Sequence, residues 1–148
     1  MYNIIVIIII ILALFVIIDI PMITVINKSM YMNAFEKVNN GGINTGVDGT
    51  IAAIVCYLLL TFAIYFFIVQ PSLDSNKDFK IDFVNIFIKG FLLGLVIYGV
   101  YNTTNKATIN NYSTKVTIVD TLWGSVLLGG VSVLSLYLIK LFKLNKNT

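Results

Sequence analysis

Two carboxylates stand beside stretches that are apolar enough to enter a membrane. Asp19 follows a long run of isoleucines, and Asp120 precedes a second apolar run. A charged side chain is costly in hydrocarbon, so intramembrane acids usually face the interior of a helix bundle and mark functional positions. If the two acids lie close together, double ionisation is disfavoured, and a shared proton or a bound cation is expected. The pair therefore predicts a polar site inside a membrane protein.

Further polar and aromatic side chains accompany the two acids. Tyr98, Asn102 and Asn105 are separated by four and three residues, which is the spacing of one helix face. We predict a ligand-binding set, and assign no catalytic residue, metal ligand or cofactor: Asp19, Tyr98, Tyr101, Asn102, Asn105, Asp120 and Trp123. One alternative stays open for Asp120, which could simply cap its helix by accepting from backbone N–H groups. The aromatic residues could likewise be interfacial anchors.

The composition identifies the class of protein. Of 148 residues, 58% are hydrophobic and 11% charged, against roughly a quarter charged in soluble domains. In lipid an isolated strand would leave its backbone groups unpaired, so the spans must be helices. We predict an all-α integral membrane four-helix bundle, a single transmembrane domain covering residues 1–148. Its spans are expected at about 4–26, 50–69, 84–101 and 116–139.

Several functional classes are disfavoured by what the sequence lacks. The net charge of +3 comes from ten lysines and seven acids, with no histidine and no arginine. Without histidine, the commonest general base and metal ligand is missing. Scattered lysines without arginine forks do not suit a nucleic-acid reader. The single Cys56 lies in an apolar run, which predicts no intrachain disulfide and no thiolate metal cluster.

Other local signals divide the chain. The first apolar run lacks a basic segment before it and a small-residue cleavage site after it, so we expect a retained helix rather than a signal peptide. Pro21 should bend this helix, and Gln70-Pro71 should end the second span. Residues 30–38 could form a short amphipathic helix on the membrane surface, followed by a turn at 39–42. Gly90 and Gly94, four residues apart, predict close helix packing, as do Ser125 and Gly129.

The lysines predict an orientation. Four spans place both termini and the middle connector on one side of the membrane, with Lys77, Lys80, Lys89, Lys140, Lys143 and Lys146. The other two connectors carry Lys28, Lys37, Lys106 and Lys115. Because the side with more lysines in its short loops is usually cytoplasmic, we expect both termini in the cytoplasm. Asp19, the end of the third span and the start of the fourth then share the outer level.

Two motifs resemble a known family. The chain reads Tyr98-Gly-Val-Tyr-Asn-Thr-Thr-Asn105 at the end of the third span and Asp120-Thr-Leu-Trp-Gly124 at the start of the fourth. Together with Asp19 and Pro71, these motifs are similar to those of the predicted membrane proteins called domain of unknown function 2177. The resemblance implies a four-helix membrane protein and no particular reaction. Asn102 departs from it, since the family pattern has aspartate there.

Three functions fit these observations. The first is binding, and by extension transport, of a small ligand, ion or lipid headgroup in a polar cavity at the outer ends of the helices. Transport would require an oligomer of this small chain. The second is a membrane-embedded enzyme acting on a lipid-like substrate with Asp19 and Asp120 as acid and base, although no nucleophile–base pair or metal set supports it. The third is a structural or assembly subunit of a membrane complex.

Overall fold

The computed structural model describes residues 4–39, 44–74, 81–142 and 144. Within these ranges every regular element is helical. The elements are α1 (Ile4–Pro21), a π-helical turn (Met22–Ile26), α2 (Lys28–Asn39), α3 (Val47–Ile64), a second π-helical turn (Tyr65–Val69), α4 (Gln70–Asp74), α5 (Phe83–Thr108) and α6 (Thr114–Leu141).

Four helical segments are long and apolar enough to cross a membrane. We call them the first to fourth spans: Ile4–Ile26, Val47–Leu73, Phe83–Thr108 and Thr114–Leu141. Many large apolar side chains on them point outward, such as Val25 at 74% and Phe67 at 70% exposure. A water-soluble protein rarely exposes apolar surface on this scale. The protein is an integral multi-pass membrane protein with the predicted all-α architecture.

The third span is longer than the sequence pattern indicates. Its polar tail was expected to be a loop after Tyr101, yet the helix continues through Thr108. The reason is local hydrogen bonding, which satisfies the polar side chains inside the helix. Thr103 Oγ1 donates to the Gly99 carbonyl over 2.6 Å, and Thr108 Oγ1 to the Thr104 carbonyl over 2.8 Å. The connector to α6 is correspondingly short.

Both prolines lie beside a π-helical turn. Pro21 is the last residue of α1 and is followed by the turn Met22–Ile26. Pro71 lies in the first turn of α4, after Tyr65–Val69. Proline lacks a backbone donor and crowds the carbonyl four residues before it. For Pro71 that residue is Phe67, within the turn Tyr65–Val69, so the locally wider helix accommodates this proline. The second span therefore continues past Gln70-Pro71, where the sequence suggested that it ends.

The fourth span is the centre of the bundle. Over half of its apolar window is buried, against 17–28% in the others, and it packs against α1, α2, α5 and the turn at Tyr65–Val69. The first span contributes a single stripe at four-residue intervals, comprising Ile7, Ile11, Phe15 and Asp19. Asp19, at 5% exposure, continues this apolar stripe, so its carboxylate faces the bundle interior.

The third and fourth spans approach each other at glycines. An ideal Cβ on Gly90 would lie 2.7 Å from the Leu128 carbonyl oxygen, and one on Gly94 would lie 2.5 Å from that of Gly124. Real side chains do not come so close to backbone atoms, so only glycine permits this contact. The predicted small-residue packing is present.

α2 lies against the bundle. Tyr31 and Ala34 of this helix form a buried apolar cluster with Tyr112, in the connector before the fourth span, and Val116, in the first turn of that span. The amphipathic helix expected from the sequence exists, but one face packs on protein instead of resting only on the membrane surface. The expected turn after Asn39 falls mainly outside the described residues. So do Lys77, Lys80, Lys143 and Lys146, on which the orientation depends.

Candidate functional site

Asp19 receives two hydrogen bonds from neutral side chains. Trp123 Nε1 of the fourth span donates to its Oδ1 over 2.7 Å, and the Tyr57 hydroxyl of the second span donates to its Oδ2 over 3.0 Å. The Tyr57 ring rests near that of Phe15, with centroids 6.5 Å apart. Three spans therefore converge on one carboxylate, because its position on the buried stripe of α1 brings it between them.

Asp120 is also held by two neutral donors. The Tyr31 hydroxyl of α2 donates to its Oδ1 over 2.6 Å, and Asn102 Nδ2 of the third span donates to its Oδ2 over 2.7 Å. These short distances are typical of hydrogen bonds to a charged acceptor. Asp120 thus ties the third and fourth spans to the helix that covers this end of the bundle.

Asn102 organises the polar contacts around Asp120. Its side chain is fully buried, and its Nδ2 also donates to the Tyr98 carbonyl over 3.0 Å, while its Oδ1 accepts from the Tyr112 hydroxyl over 2.9 Å. An amide supplies both donors and acceptors, and all three neighbours match that pattern. An ionised aspartate could not donate in this way. Asn102 is therefore chemically suited to its place beside Asp120.

A partly open cavity of about 330 Å³ borders both carboxylates. We call it the cleft. It is lined by residues of all four spans, namely Asp19, Ile23, Ala53, Cys56, Tyr57, Leu60, Ile97, Tyr98, Tyr101 and Asp120. The ring of Tyr98 forms part of its wall and rests on Gly124, where any Cβ would overlap it. The cleft exists because the early part of the second span packs on α1, while the third packs mainly on α6.

Only part of the predicted ligand-binding set lines the cleft, namely Asp19, Tyr98, Tyr101 and Asp120. Two further members do not line it but donate hydrogen bonds to its carboxylates: Asn102 to Asp120 and Trp123 to Asp19. Asn105 is partly buried one turn further along the helix and does not line the cleft. Whether any of these residues binds a ligand stays a prediction.

The alternative role for Asp120 is wrong. The fourth span begins at Thr114, and its N-cap is Ser113, whose side chain accepts from the Val116 backbone N–H. Asp120 lies well inside the helix, beyond the reach of the free N–H groups of its first turn. A capping function therefore cannot explain the carboxylate.

Three tyrosines of the site were missed by sequence reasoning. Tyr31, Tyr57 and Tyr112 each donate to Asp19, Asp120 or Asn102. Nothing in the sequence distinguishes Tyr57 from a packing aromatic, since its neighbours in the sequence are apolar. Only Tyr31 had a usable signal in the sequence. It lies on the apolar face of the amphipathic segment, which the predicted topology places at the same end of the bundle as Asp120.

Neither carboxylate of the site has a cationic partner among the residues that the structure describes. The hydrogen-bond donors described around each one are neutral, and the described lining of the cleft includes no lysine. Lys106, one turn beyond Asn102 on the third span, donates instead to the Tyr112 carbonyl over 2.7 Å. Buried charges are normally paired or bound to an ion. Two carboxylates inside the membrane spans without a described cationic partner make this region a candidate site.

The surroundings of the two phenols outside the spans keep their hydroxyl groups as hydrogen-bond donors. Burial, followed by the hydrogen bond to Asp120, raises the pKa of Tyr31 above its ordinary value. Burial also raises the pKa of Tyr112, although a hydrogen bond with Asn105 opposes the effect. Desolvation disfavours the phenolate. Both hydroxyls therefore stay protonated and able to donate at neutral pH.

Replacing Tyr31 by phenylalanine should release α2 from the bundle. Asp120 Oδ1 would lose its donor, and a hydrogen bond to a charged group contributes about 1.5–3 kcal/mol. Amide hydrogen exchange across residues 28–38 should accelerate by roughly tenfold or more, since 1.4 kcal/mol is a factor of ten. Ser29→Ala, an exposed change on the same helix, should leave exchange unchanged. Equal protection in Tyr31→Phe and wild type would contradict the assigned contact.

The same contact predicts a pH dependence. Since the folded pKa of Tyr31 is raised, its contribution to docking is constant below the ordinary tyrosine pKa of about 10. Above that pH only undocked α2 can ionise the phenol, so docking weakens as pH rises. The additional weakening of α2 docking above pH 10 should be absent in Tyr31→Phe, which has no phenol to ionise.

Comparison with known proteins agrees with the geometry. A family model described as a predicted membrane protein, domain of unknown function 2177, matches residues 4–137. Comparison with curated proteins and with solved structures gave no match. The matched range contains all four spans nearly complete, both carboxylates and every residue that lines the cleft. The chain therefore belongs to the domain of unknown function 2177 family of predicted membrane proteins.

Proposed function

We propose that this protein binds a small ligand, an ion or a lipid headgroup in the cleft, with transport of the bound species as the wider role that the site could serve. The observation that carries the proposal is a pair of carboxylates, contributed by the first and fourth spans, that border one cavity and whose partners among the described residues are neutral. Such acids inside membrane spans typically mark ion or substrate sites.

The proposed orientation places the cleft on the outer side of the membrane. The four spans alternate in direction, so Ile4 at the start of the first span and Leu141 at the end of the fourth lie at the end of the bundle opposite α2. The lysine distribution supports a cytoplasmic location for the termini. A ligand would then reach the carboxylates from the outer half of the membrane.

Cys56 supplies a direct test of the electrostatic part of this proposal. It lines the cleft together with both carboxylates and is the single cysteine of the chain. A cationic thiol reagent, (2-trimethylammonioethyl) methanethiosulfonate, should react faster relative to the neutral methyl methanethiosulfonate than it does with a free thiol. Because the same thiolate attacks both reagents and displaces the same methanesulfinate, the ratio of the two rates cancels the ionisation of the cysteine itself.

Replacing the carboxylates should remove this preference. In protein reconstituted into vesicles, Asp19→Asn and Asp120→Asn should each lower the rate ratio by roughly tenfold, the effect of about 1.4 kcal/mol of lost attraction. Asparagine retains the shape and an acceptor oxygen, which favours retention of the fold.

Asp82→Asn is the matched control. Asp82 caps the third span by accepting from the Asn85 N–H at 3.1 Å, and asparagine caps equally well. This variant removes one negative charge away from the cleft and should keep the wild-type ratio. Equal ratios in all four proteins, or failure of both reagents to reach Cys56, would sink the proposal.

A further inference from the structure

We infer that the occupant of the cleft is a single-chain amphiphile with an ammonium headgroup, taken up laterally from the bilayer. This inference rests on the proposed function and narrows it to one class of ligand. Three features of the cleft support it: two carboxylates with no cationic partner among the described residues, aromatic walls and a position within the membrane.

Charge selects the headgroup. The two carboxylates have four neutral donors between them and no described lysine as partner. Each carboxylate oxygen can accept a further hydrogen bond, so both acids can still receive a cation. A phosphate, sulfate or carboxylate headgroup would be repelled by the same charges.

Aromatic walls favour an organic cation over a metal ion. Tyr57, Tyr98 and Tyr101 line the cleft beside the two acids, and rings around an ammonium group attract it through their faces. Among the residues that the structure describes, no three side chains of histidine, cysteine, aspartate or glutamate are grouped to hold a metal. A divalent metal would therefore find few protein ligands here, whereas an ammonium group finds acids and rings together.

The mouth of the cleft lies within the depth of the membrane spans. Cys56 and Ala53 on the second span and Tyr101 on the third are exposed residues of its lining. Cys56 lies roughly 14 Å along the helix from Val47, at about 1.5 Å per residue. The opening between the second and third spans thus faces lipid, and a ligand can enter with its chain still in the bilayer.

The volume limits the ligand to one chain. At about 330 Å³, the cleft is at the small end of ligand pockets, which span roughly 300–1,000 Å³. It can hold a headgroup and the first carbons of a chain between apolar residues such as Ile23, Leu60 and Ile97. The remainder of the chain would lie along the exposed apolar surface of the spans.

Trp123 provides the readout, because it is the single tryptophan of the chain and donates to Asp19. The probes are three dodecyl amphiphiles that carry a nitroxide at the same carbon and differ only in headgroup: trimethylammonium, sulfate and hydroxyl. The protein is held in dodecyl maltoside micelles, whose uncharged headgroups do not compete. Nitroxide quenching of Trp123 then reports occupancy of the cleft.

We expect the ammonium probe to quench Trp123 at a mole fraction about tenfold lower than the hydroxyl probe, which is the factor that about 1.4 kcal/mol provides. The sulfate probe should be the weakest. In the double variant Asp19→Asn, Asp120→Asn the ammonium preference should fall to about one, and in Asp82→Asn it should persist. Tyr101→Leu changes an exposed wall residue that the fold does not need. It should reduce the preference by about two- to fivefold through loss of the ring contact.

Each other outcome overturns the inference in a recognisable way. Equal quenching by all three probes, or strongest quenching by the sulfate, would reject the ammonium headgroup. Displacement of the ammonium probe by tetramethylammonium at equal concentration would show that the chain adds nothing, and would replace the amphiphile by a soluble cation. In these cases the reagent preference at Cys56 would still stand, so the proposed function would survive. If neither the ammonium preference of the probes nor the cationic preference at Cys56 is found, both the amphiphile inference and the proposed function are rejected.

Discussion

Replacing Gly94 by valine is expected to lower the free energy of unfolding by about 3 kcal/mol, at the upper end of typical overpacking effects. A Cβ atom at this position would lie 2.5 Å from the Gly124 carbonyl oxygen and 2.8 Å from the Ser125 Cα. These are backbone atoms of the central helix and cannot rotate away as a side chain can. The third span would have to move outward along its whole contact with the fourth.

This displacement would also reach the site. Gly94 faces Gly124, which in turn carries the ring of Tyr98, and Asn102 lies two turns further along the third span beside Asp120. The expected loss can be measured by denaturant unfolding in mixed micelles, followed by the fluorescence of Trp123. A lower unfolding midpoint should be accompanied by weaker protection of Asn102 and its neighbours from hydrogen exchange.

Gly130→Ala is the control for the Gly94 prediction. A Cβ at Gly130 meets nothing within 4 Å, although the residue lies in the fourth span, the centre of the bundle. Alanine in a helix is favoured over glycine by about 0.5–1 kcal/mol, so this variant should be as stable as the wild type or more so. Similar unfolding midpoints for Gly94→Val and Gly130→Ala would contradict the packing described.

Replacing Asn102 by aspartate is expected to destabilise the protein by a comparable amount, about 3 kcal/mol at neutral pH, because an unpaired charge would be buried. The Nδ2 donor to Asp120 and to the Tyr98 carbonyl would be lost. A second carboxylate would stand at hydrogen-bonding distance from the first. Only the hydrogen bond from Tyr112 suits the new side chain.

A charge exchange tests the direction of this hydrogen bond. In the double variant Asn102→Asp, Asp120→Asn, the amide at position 120 can donate to the carboxylate at position 102, so more than half of the lost stability should return. Asn85→Asp is the matched control, being the same change at an exposed site in the first turn of the same helix, where acids are favoured. A double variant no more stable than Asn102→Asp alone would show that the pair does not interact as described.

Part of the site is readable from the sequence because the residues are chemically out of place. Asp19 and Asp120 are acids beside apolar runs, and Gly90 and Gly94 show the spacing of close packing. Such residues indicate a buried polar site or close helix packing even when the residues that contact them are not known. The four spans follow from composition for the same reason.

The rest depends on contacts that no local pattern encodes. Tyr57 sits among apolar residues and resembles any packing aromatic, yet its hydroxyl reaches Asp19 in another span. The length of the third span was underestimated because polar side chains can hydrogen-bond to their own helix, as Thr103 does. The cleft is a gap between two spans, and gaps are set by which helices pack together.

The structure of the lipid-embedded protein, determined by electron cryo-microscopy with a rigid binding partner, tests the central claim most directly. We predict a cleft between the second and third spans with Asp19 and Asp120 on its wall. Continuous density for a bound ligand should fill it between Tyr57 and Tyr101. Direct packing of Cys56 and Tyr57 against Tyr98 and Tyr101, with no space between the two spans, would contradict the binding site proposed for this protein.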